Sequence, residues 1–137
     1  MSDAARRAVD AAYERWISAA VAGDADAYAD FFEEAGALMP PNAPIVRGRQ
    51  AIREWAKWLF STYRLEVSTY SMEHQIVYDA VAVSRYVTAG TYRPVNGGDG
   101  IPFDQKYADA LVKLADGAWK MNSHMWSSNR KGHSLWG

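Results

Sequence analysis

The sequence is organised around one stretch near its end, Gly117-Ala118-Trp119-Lys120-Met121-Asn122-Ser123-His124-Met125-Trp126. Turn residues 115–117 precede it, polar residues 127–129 follow it, and its side chains change character at every step, which is typical of a strand. Strict alternation places four side chains on one face: Lys120, Asn122, His124 and Trp126. Because this face combines an amide, an imidazole and an indole, we expect it to line a ligand pocket.

Length and composition favour one ordinary globular domain. The chain has 137 residues, of which 49% are apolar and 23% charged, enough for a single core. We assign one domain to residues 1–137, with 127–137 as a C-terminal tail. The formal net charge is -1, and the interspersed charges give no basic surface for nucleic acid or for a membrane.

Several classes of site and location are disfavoured by what the sequence lacks. It contains no cysteine, which excludes disulfides, thiolate metal sites and cysteine nucleophiles. Its histidines and carboxylates show no metal-ligand spacing, so we expect neither a metal nor another cofactor. The polar N-terminus and the absence of a run of about 18 apolar residues predict a cytoplasmic protein that does not cross the membrane.

The first half of the chain has helical periodicity. Residues 2–22 carry apolar side chains at helical spacing, Gly23 ends that pattern, and Asp24 can cap a second short helix. The apolar side of this second helix is predicted to carry Tyr28, Phe31 and Phe32. After a Pro-rich loop, a third helix is predicted from Gly48 to about Thr62.

The second half reads as strands. A short strand is predicted at 36–39, before the third helix. Longer ones are predicted at about 64–78, 81–92 and 103–114, followed by the stretch quoted above. Helices on one face of an antiparallel sheet, an α+β arrangement, follow from this order. Six Trp and eight Tyr would suit a lined cavity or an interface.

Four short motifs carry a family resemblance that extends from about Ala5 to Asn129. They are Ala22-Gly23-Asp24, Gly48-Arg49-Gln50-Ala51-Ile52-Arg53-Glu54-Trp55, Asp116-Gly117-Ala118-Trp119-Lys120-Met121 and Met125-Trp126-Ser127. In this order they resemble the SnoaL-like branch of the nuclear transport factor 2-like superfamily. The resemblance implies a cone-shaped, curved antiparallel sheet wrapped around an N-terminal helical hairpin and a third helix, an α+β barrel. It also implies a deep pocket at the open end and a homodimer formed through the sheet.

Ketosteroid isomerase, a catalytic relative, provides a test of the chemistry. The position of its general base falls on Met39 or Pro40, neither of which can abstract a proton. Its oxyanion tyrosine falls on Trp16, and its second oxyanion donor falls on Ala110. The isomerase machinery is therefore absent in its usual form, and the superfamily fold alone implies no single activity.

Three residues are the predicted catalytic group. His124 is the acid-base candidate, since an imidazole suits proton transfer near neutral pH; a structural histidine is the alternative. Asn122 would orient that imidazole or donate to an oxyanion, unless it is only a satisfied strand amide. The hydroxyl of Tyr13 would be a further hydrogen-bond partner.

The remaining site predictions concern the pocket walls and Asp109. The residues predicted to bind substrate are Trp16, Trp126, Trp55, Met39 and Tyr28. Asp109 should face away from the pocket unless a bulge intervenes, and it could pair with Lys120 or Arg85 in a structural role. In the tail, Leu135 and Trp136 either dock onto the body or fray.

These observations predict a small-molecule-binding protein. The leading hypothesis is a cofactor-independent isomerase, cyclase or dehydratase that acts on a hydrophobic or polycyclic substrate by acid-base chemistry. The alternative is a ligand-binding or association domain without catalysis. No nucleic acid or membrane partner is expected.

Overall fold

The computed structural model describes residues 3–131, in which helices and strands follow one another largely as predicted. The helices are α1 (Asp3–Ala22), α2 (Ala25–Asp30) and α3 (Arg49–Thr62). The strands are β1 (Phe32–Met39), β2 (Val46–Arg47), β3 (Tyr63–Tyr78), β4 (Val81–Pro94), β5 (Ile101–Lys113) and β6 (Trp119–Ser128). The tail predictions for Leu135 and Trp136 fall outside the described residues.

The helical hairpin is formed by local signals. Gly23 has a φ of 72°, a conformation that glycine adopts without a steric penalty and that ends α1. The Asp24 side chain then accepts a hydrogen bond from the Ala27 N–H at 3.0 Å and caps α2. Because α2 ends at Asp30, Phe32 belongs to β1 and not to the second helix as predicted.

The strands of residues 3–131 form one curved sheet in the order β2-β1-β6-β5-β4-β3. Helices and sheet together confirm the predicted α+β cone. Two details differ from the expected antiparallel barrel. β1 pairs with β6 in parallel, so the sheet is mixed, and it remains open, with β2 and β3 as its edges.

The longest strand of the sheet, β3, contains two bulges. The pairing of β3 with β4 shifts register between Val67 and Thr69 and again between Met72 and His74. Each bulge adds an unpaired residue and bends the strand. Gly90 lies opposite the first bulge, where an added Cβ would overlap the Glu66 carbonyl oxygen and lie 2.8 Å from Cζ of Phe103.

The core fills the space between the helices and the concave face of the sheet. Its largest fully buried side chains include Tyr13, Phe32, Leu38, Ile52 and Tyr86. None of the helices within residues 3–131 combines the length and the apolar character needed to cross a bilayer.

Replacing Gly90 by Ala should lower the free energy of unfolding by about 1–3 kcal/mol, because overpacking forces the bulged backbone to move. The measurement is the urea midpoint of the variant against wild type. A matched control is Val95→Ala, at an exposed valine just beyond the end of the same strand, which should change stability by less than about 0.5 kcal/mol. A Gly90→Ala protein as stable as wild type would contradict the close approach of β3 to β4.

Candidate active site

A bulge in β6 decides which of its side chains face the core. Leu111 of β5 pairs with Met121, whereas Ala110 pairs with Ser123, so Asn122 is the extra residue. An extra residue reverses the alternation of faces beyond it. Met121 and His124 are therefore both buried, although strict alternation would place them on opposite faces.

The prediction that Asn122 shares a face with His124 is wrong for this reason. The Asn122 amide donates from Nδ2 to Oε2 of Glu33 at 2.7 Å, and its Oδ1 accepts from the Ser123 hydroxyl at 2.8 Å. It joins the bulge to β1 and does not line the cavity. Asn122 therefore does not hold the imidazole.

The group that holds the imidazole is the carboxylate of Asp109. His124 lies directly across from Asp109 in the strand pairing, and its Nδ1 is 2.7 Å from Oδ1 of the carboxylate. The Tyr13 hydroxyl on α1 donates to Oδ2, also at 2.7 Å. The side chain of Asp109 is fully buried and that of His124 is 4% exposed, so this is an enclosed Tyr–Asp–His chain.

The prediction for Asp109 is wrong in both its facing and its partners. β5 alternates without a bulge around this residue, and Asp109 falls in the inward row. Lys120 instead donates to the carbonyl oxygen of Asp30 at 2.6 Å. Arg85 pairs with Glu73 on the outer surface at 2.7 Å.

Burial determines the chemistry of the tyrosine. A buried carboxylate is costly unless its oxygens accept hydrogen bonds; Tyr13 donates to Oδ2, and Nδ1 of His124 lies 2.7 Å from Oδ1. Burial, together with the nearby charge of Asp109, raises the pKa of Tyr13 well above its ordinary value of 10. Tyr13 therefore remains a neutral donor to the carboxylate.

A cavity of about 80 Å³ lies between the helices and the concave face of the sheet, beside the imidazole. A single water needs roughly 10–15 Å³ on the same scale. Four of the five predicted substrate-binding residues line it: Trp16, Tyr28, Trp55 and Trp126. Met39 does not: it is next to Leu38, which is buried and pairs with His124, so Met39 takes the opposite face of β1, beside the exposed Met125. Tyr13 does not line the cavity; its hydroxyl donates to Asp109 behind the cavity wall.

The imidazole is packed among aromatic rings at the cavity wall. Tyr107 stacks on His124 with centroids 5.5 Å apart and an interplanar angle of 14°. Trp16 meets the ring edge-on at 4.8 Å, and Trp126 lies at 4.9 Å. Since Nδ1 is held by Asp109 and Nε2 has no hydrogen-bond partner within residues 3–131, Nε2 is the ring nitrogen available to a ligand.

A second polar group lies farther along the same wall. The Tyr107 hydroxyl donates to Oε1 of Gln105 at 2.6 Å and lies 2.7 Å from the Thr88 hydroxyl. Nε2 of Gln105 is 3.4 Å from the Tyr92 hydroxyl. The sequence pattern of β5 could have predicted this polar group. Alternate residues of β5 face the core, and three of them, Gln105, Tyr107 and Asp109, are polar.

A second pocket, apart from the first, is lined by acidic and imidazole side chains: Asp10, Glu14, Glu73 and His74. Within residues 3–131 no group of three or more His, Asp or Glu could hold a metal ion. His74 follows the second bulge of β3 and is exposed.

Comparison with known families gives a direct assignment. The family model for the SnoaL-like domain matches residues 13–121. The chain belongs to the SnoaL-like family. A comparison of this SnoaL-like protein with curated proteins gives no match.

Solved structures share the fold at low sequence identity. A ketosteroid isomerase-like protein from Erwinia carotovora atroseptica SCRI1043 is 21% identical, with a TM-score of 0.85 over 95% of this chain and 99% of that one. A candidate dehydratase of the NTF2-like family from Streptomyces avermitilis is 16% identical, with a TM-score of 0.81 over 94% and 99% of the two chains. A candidate calcium/calmodulin-dependent protein kinase II association domain from Xanthomonas campestris is 20% identical, with a TM-score of 0.70 over 90% and 86%. At these identities the likeness shows the fold alone.

Replacing Tyr13 by Phe should lower the free energy of unfolding by about 1.5–3 kcal/mol, the range for a hydrogen bond to a charged group. The ring packing is retained, so the loss reports the missing donor to Asp109. Urea denaturation at neutral pH measures it. Tyr78→Phe is the control, because Tyr78 is 79% exposed; equal stability of the two variants would contradict a buried bond from Tyr13 to the carboxylate.

Proposed function

We propose that this protein binds a compact, mainly apolar small molecule and moves a proton on it with His124, without a cofactor. The observation that carries the proposal is the 2.7 Å contact between Nδ1 of His124 and the buried Asp109 carboxylate, with the imidazole on the cavity wall. A carboxylate on one ring nitrogen fixes the ring and stabilises the imidazolium that forms when the other nitrogen takes a proton.

The proton transfer follows from this arrangement. Nδ1–H donates to the ionised Asp109, and the lone pair of Nε2 removes a proton from a carbon or oxygen atom of the ligand. Asp109 stabilises the resulting imidazolium. Return of the proton to another ligand atom completes an isomerisation or a cyclisation, whereas its transfer to a departing hydroxyl group releases water and completes a dehydration.

The site differs from the ketosteroid isomerase arrangement in the base that it offers. Met39 and Pro40 supply no carboxylate, and the described residues that line the cavity include the His124 imidazole and no carboxylate. The names of two structural neighbours, an isomerase-like protein and a candidate dehydratase, support the reaction class. Cavity size favours a compact ligand, because about 80 Å³ leaves no room for a polycyclic one unless the walls move.

The test begins with the small molecules that co-purify with the protein, identified by mass spectrometry. The recovered compound is incubated with protein in D₂O, and deuterium incorporation at its carbon atoms is measured. We expect His124→Gln to slow incorporation by about 10²–10⁴-fold, the usual contribution of a general acid or base. Asp109→Asn should also slow it, because the imidazole loses its anionic partner.

Tyr78→Phe, far from the cavity on an exposed strand end, serves as the control and should exchange deuterium at the wild-type rate. A His124→Gln protein that folds and exchanges as fast as wild type would remove His124 from the mechanism.

Binding without catalysis is the second candidate function. The mainly aromatic cavity supports it, as does the fold shared with a candidate association domain. The same experiment separates the two functions, since a bound compound that gains no deuterium with wild-type protein favours binding alone.

We further propose a homodimer formed through the outer face of the sheet. Ile76 pairs with Val83 and Tyr78 with Val81 across β3 and β4, and all four side chains are about half exposed or more. This places a continuous apolar patch on the surface, which monomers rarely carry. The Arg85–Glu73 ion pair borders this patch. In a dimer with two-fold symmetry, Arg85 of each subunit can therefore lie near Glu73 of the other.

Analytical ultracentrifugation should show a dimer for the wild-type protein and a monomer for Val83→Glu, because the new charge would be buried without a partner. Arg64→Glu, on the exposed face at the other end of β3, is the control and should remain dimeric. A wild-type protein that is monomeric at about 100 µM would contradict the proposed interface.

A further inference from the structure

We propose that Thr88 and Gln105 form a second binding site in the cavity that recognises a hydroxyl group of the ligand. The inference deepens the proposed function, since it uses the same cavity and rests on its being a ligand site. It requires no proton transfer by His124. A hydroxyl-bearing, otherwise apolar molecule is thereby the expected ligand class.

The strand register places this pair at a defined distance from the imidazole. Thr88 lies directly across from Gln105, just as Ser84 lies across from Asp109. Four residues separate the two pairs along each strand, or roughly 13 Å at the strand rise of about 3.3 Å per residue. Tyr107 lies midway between them, and its ring stacks on the imidazole.

Hydrogen-bond donors and acceptors can be counted along this group. The single proton of the Tyr107 hydroxyl goes to Oε1 of Gln105, so the 2.7 Å contact with Thr88 must be a bond donated by the Thr88 hydroxyl. Thr88 then keeps lone pairs that accept nothing from residues 3–131. The Gln105 amide gives one N–H towards Tyr92, and its second N–H has no acceptor within the same residues.

Both side chains are deeply buried yet belong to the cavity lining. Thr88 is 7% exposed and Gln105 is 4% exposed. A buried donor without a partner costs stability that a ligand can recover. A ligand hydroxyl fits both groups, because its oxygen accepts the second Gln105 N–H and its proton is donated to Thr88.

Other polar ligand groups fit less well. A carbonyl oxygen would satisfy the Gln105 amide but leave the Thr88 oxygen without a donor. A carboxylate would lose its hydration with no cation to replace it, because no Lys or Arg is among the described residues that line the cavity. The pair therefore selects a neutral hydroxyl.

Phenol and fluorobenzene are matched probes of this site, since they are similar in size and differ in the hydroxyl group. Their Kd values are measured by titration of the ¹⁵N-labelled protein, following the indole N–H signals of Trp16 and Trp126, which line the cavity and are unchanged in every variant. We expect wild type to bind phenol about tenfold more tightly than fluorobenzene. In Gln105→Leu the preference should fall to within about twofold, and Thr88→Val should lower it partially.

Fluorobenzene shows whether the variant cavities are intact, because its Kd should change by less than about twofold in both variants. Thr88→Val, which is nearly isosteric, keeps the test valid if Gln105→Leu does not fold. A purely structural role for the pair would change stability and leave the ratio of the two Kd values as in wild type.

The His124→Gln variant separates this inference from the proposed function. It should lose deuterium exchange and keep the phenol preference, whereas Gln105→Leu should lose the preference and Thr88→Val should weaken it. Three results would overturn the inference: no phenol preference in wild type, no binding of either probe, or a preference lost only in His124→Gln. The last result would mean that the imidazole holds the ligand oxygen.

Discussion

The buried carboxylate of Asp109 is the constraint on which the site depends. It accepts a hydrogen bond from Tyr13 on α1 and is hydrogen-bonded to Nδ1 of His124 on β6, so one side chain joins the first helix to the last two strands. An ion of this kind is stable in an interior only while its partners remain. The same two bonds therefore fix the position of α1 against the sheet and the orientation of the imidazole towards the cavity.

The strand register aligns the polar side chains of the site in rows across the sheet. Ser84, Asp109 and His124 lie in one row across three strands, and the pair Thr88–Gln105 lies farther along the same concave face. Tyr107 stands between the two polar groups and touches both, through stacking on the imidazole and through its hydroxyl. The cavity lining is thus mainly aromatic, with the His124 imidazole and the Thr88–Gln105 pair at two separated places, an arrangement that can orient a ligand.

The sequence predicted most of the elements because their signals are local. Helical periodicity, the stop at Gly23 and the cap at Asp24 depend on neighbouring residues, and so did the family resemblance that suggested the cone. Local signals could not predict which side chains of β6 face the core. Alternation fails at the bulge on Asn122, and that bulge exists only in the pairing of β6 with β5. For the same reason His124 was predicted without its true partner, Asp109, and the parallel pairing of β1 with β6 was missed.

The position of the proton on the His124 ring tests the central claim most directly. Long-range ¹H–¹⁵N correlation spectra of the labelled protein report the protonation of each imidazole nitrogen. A proton on Nδ1 in wild type, lost or redistributed in Asp109→Asn, is the predicted result, because an ionised Asp109 accepts only from a protonated Nδ1. An unprotonated Nδ1 in wild type would contradict the claim, since Asp109 would then carry the proton and could not stabilise an imidazolium.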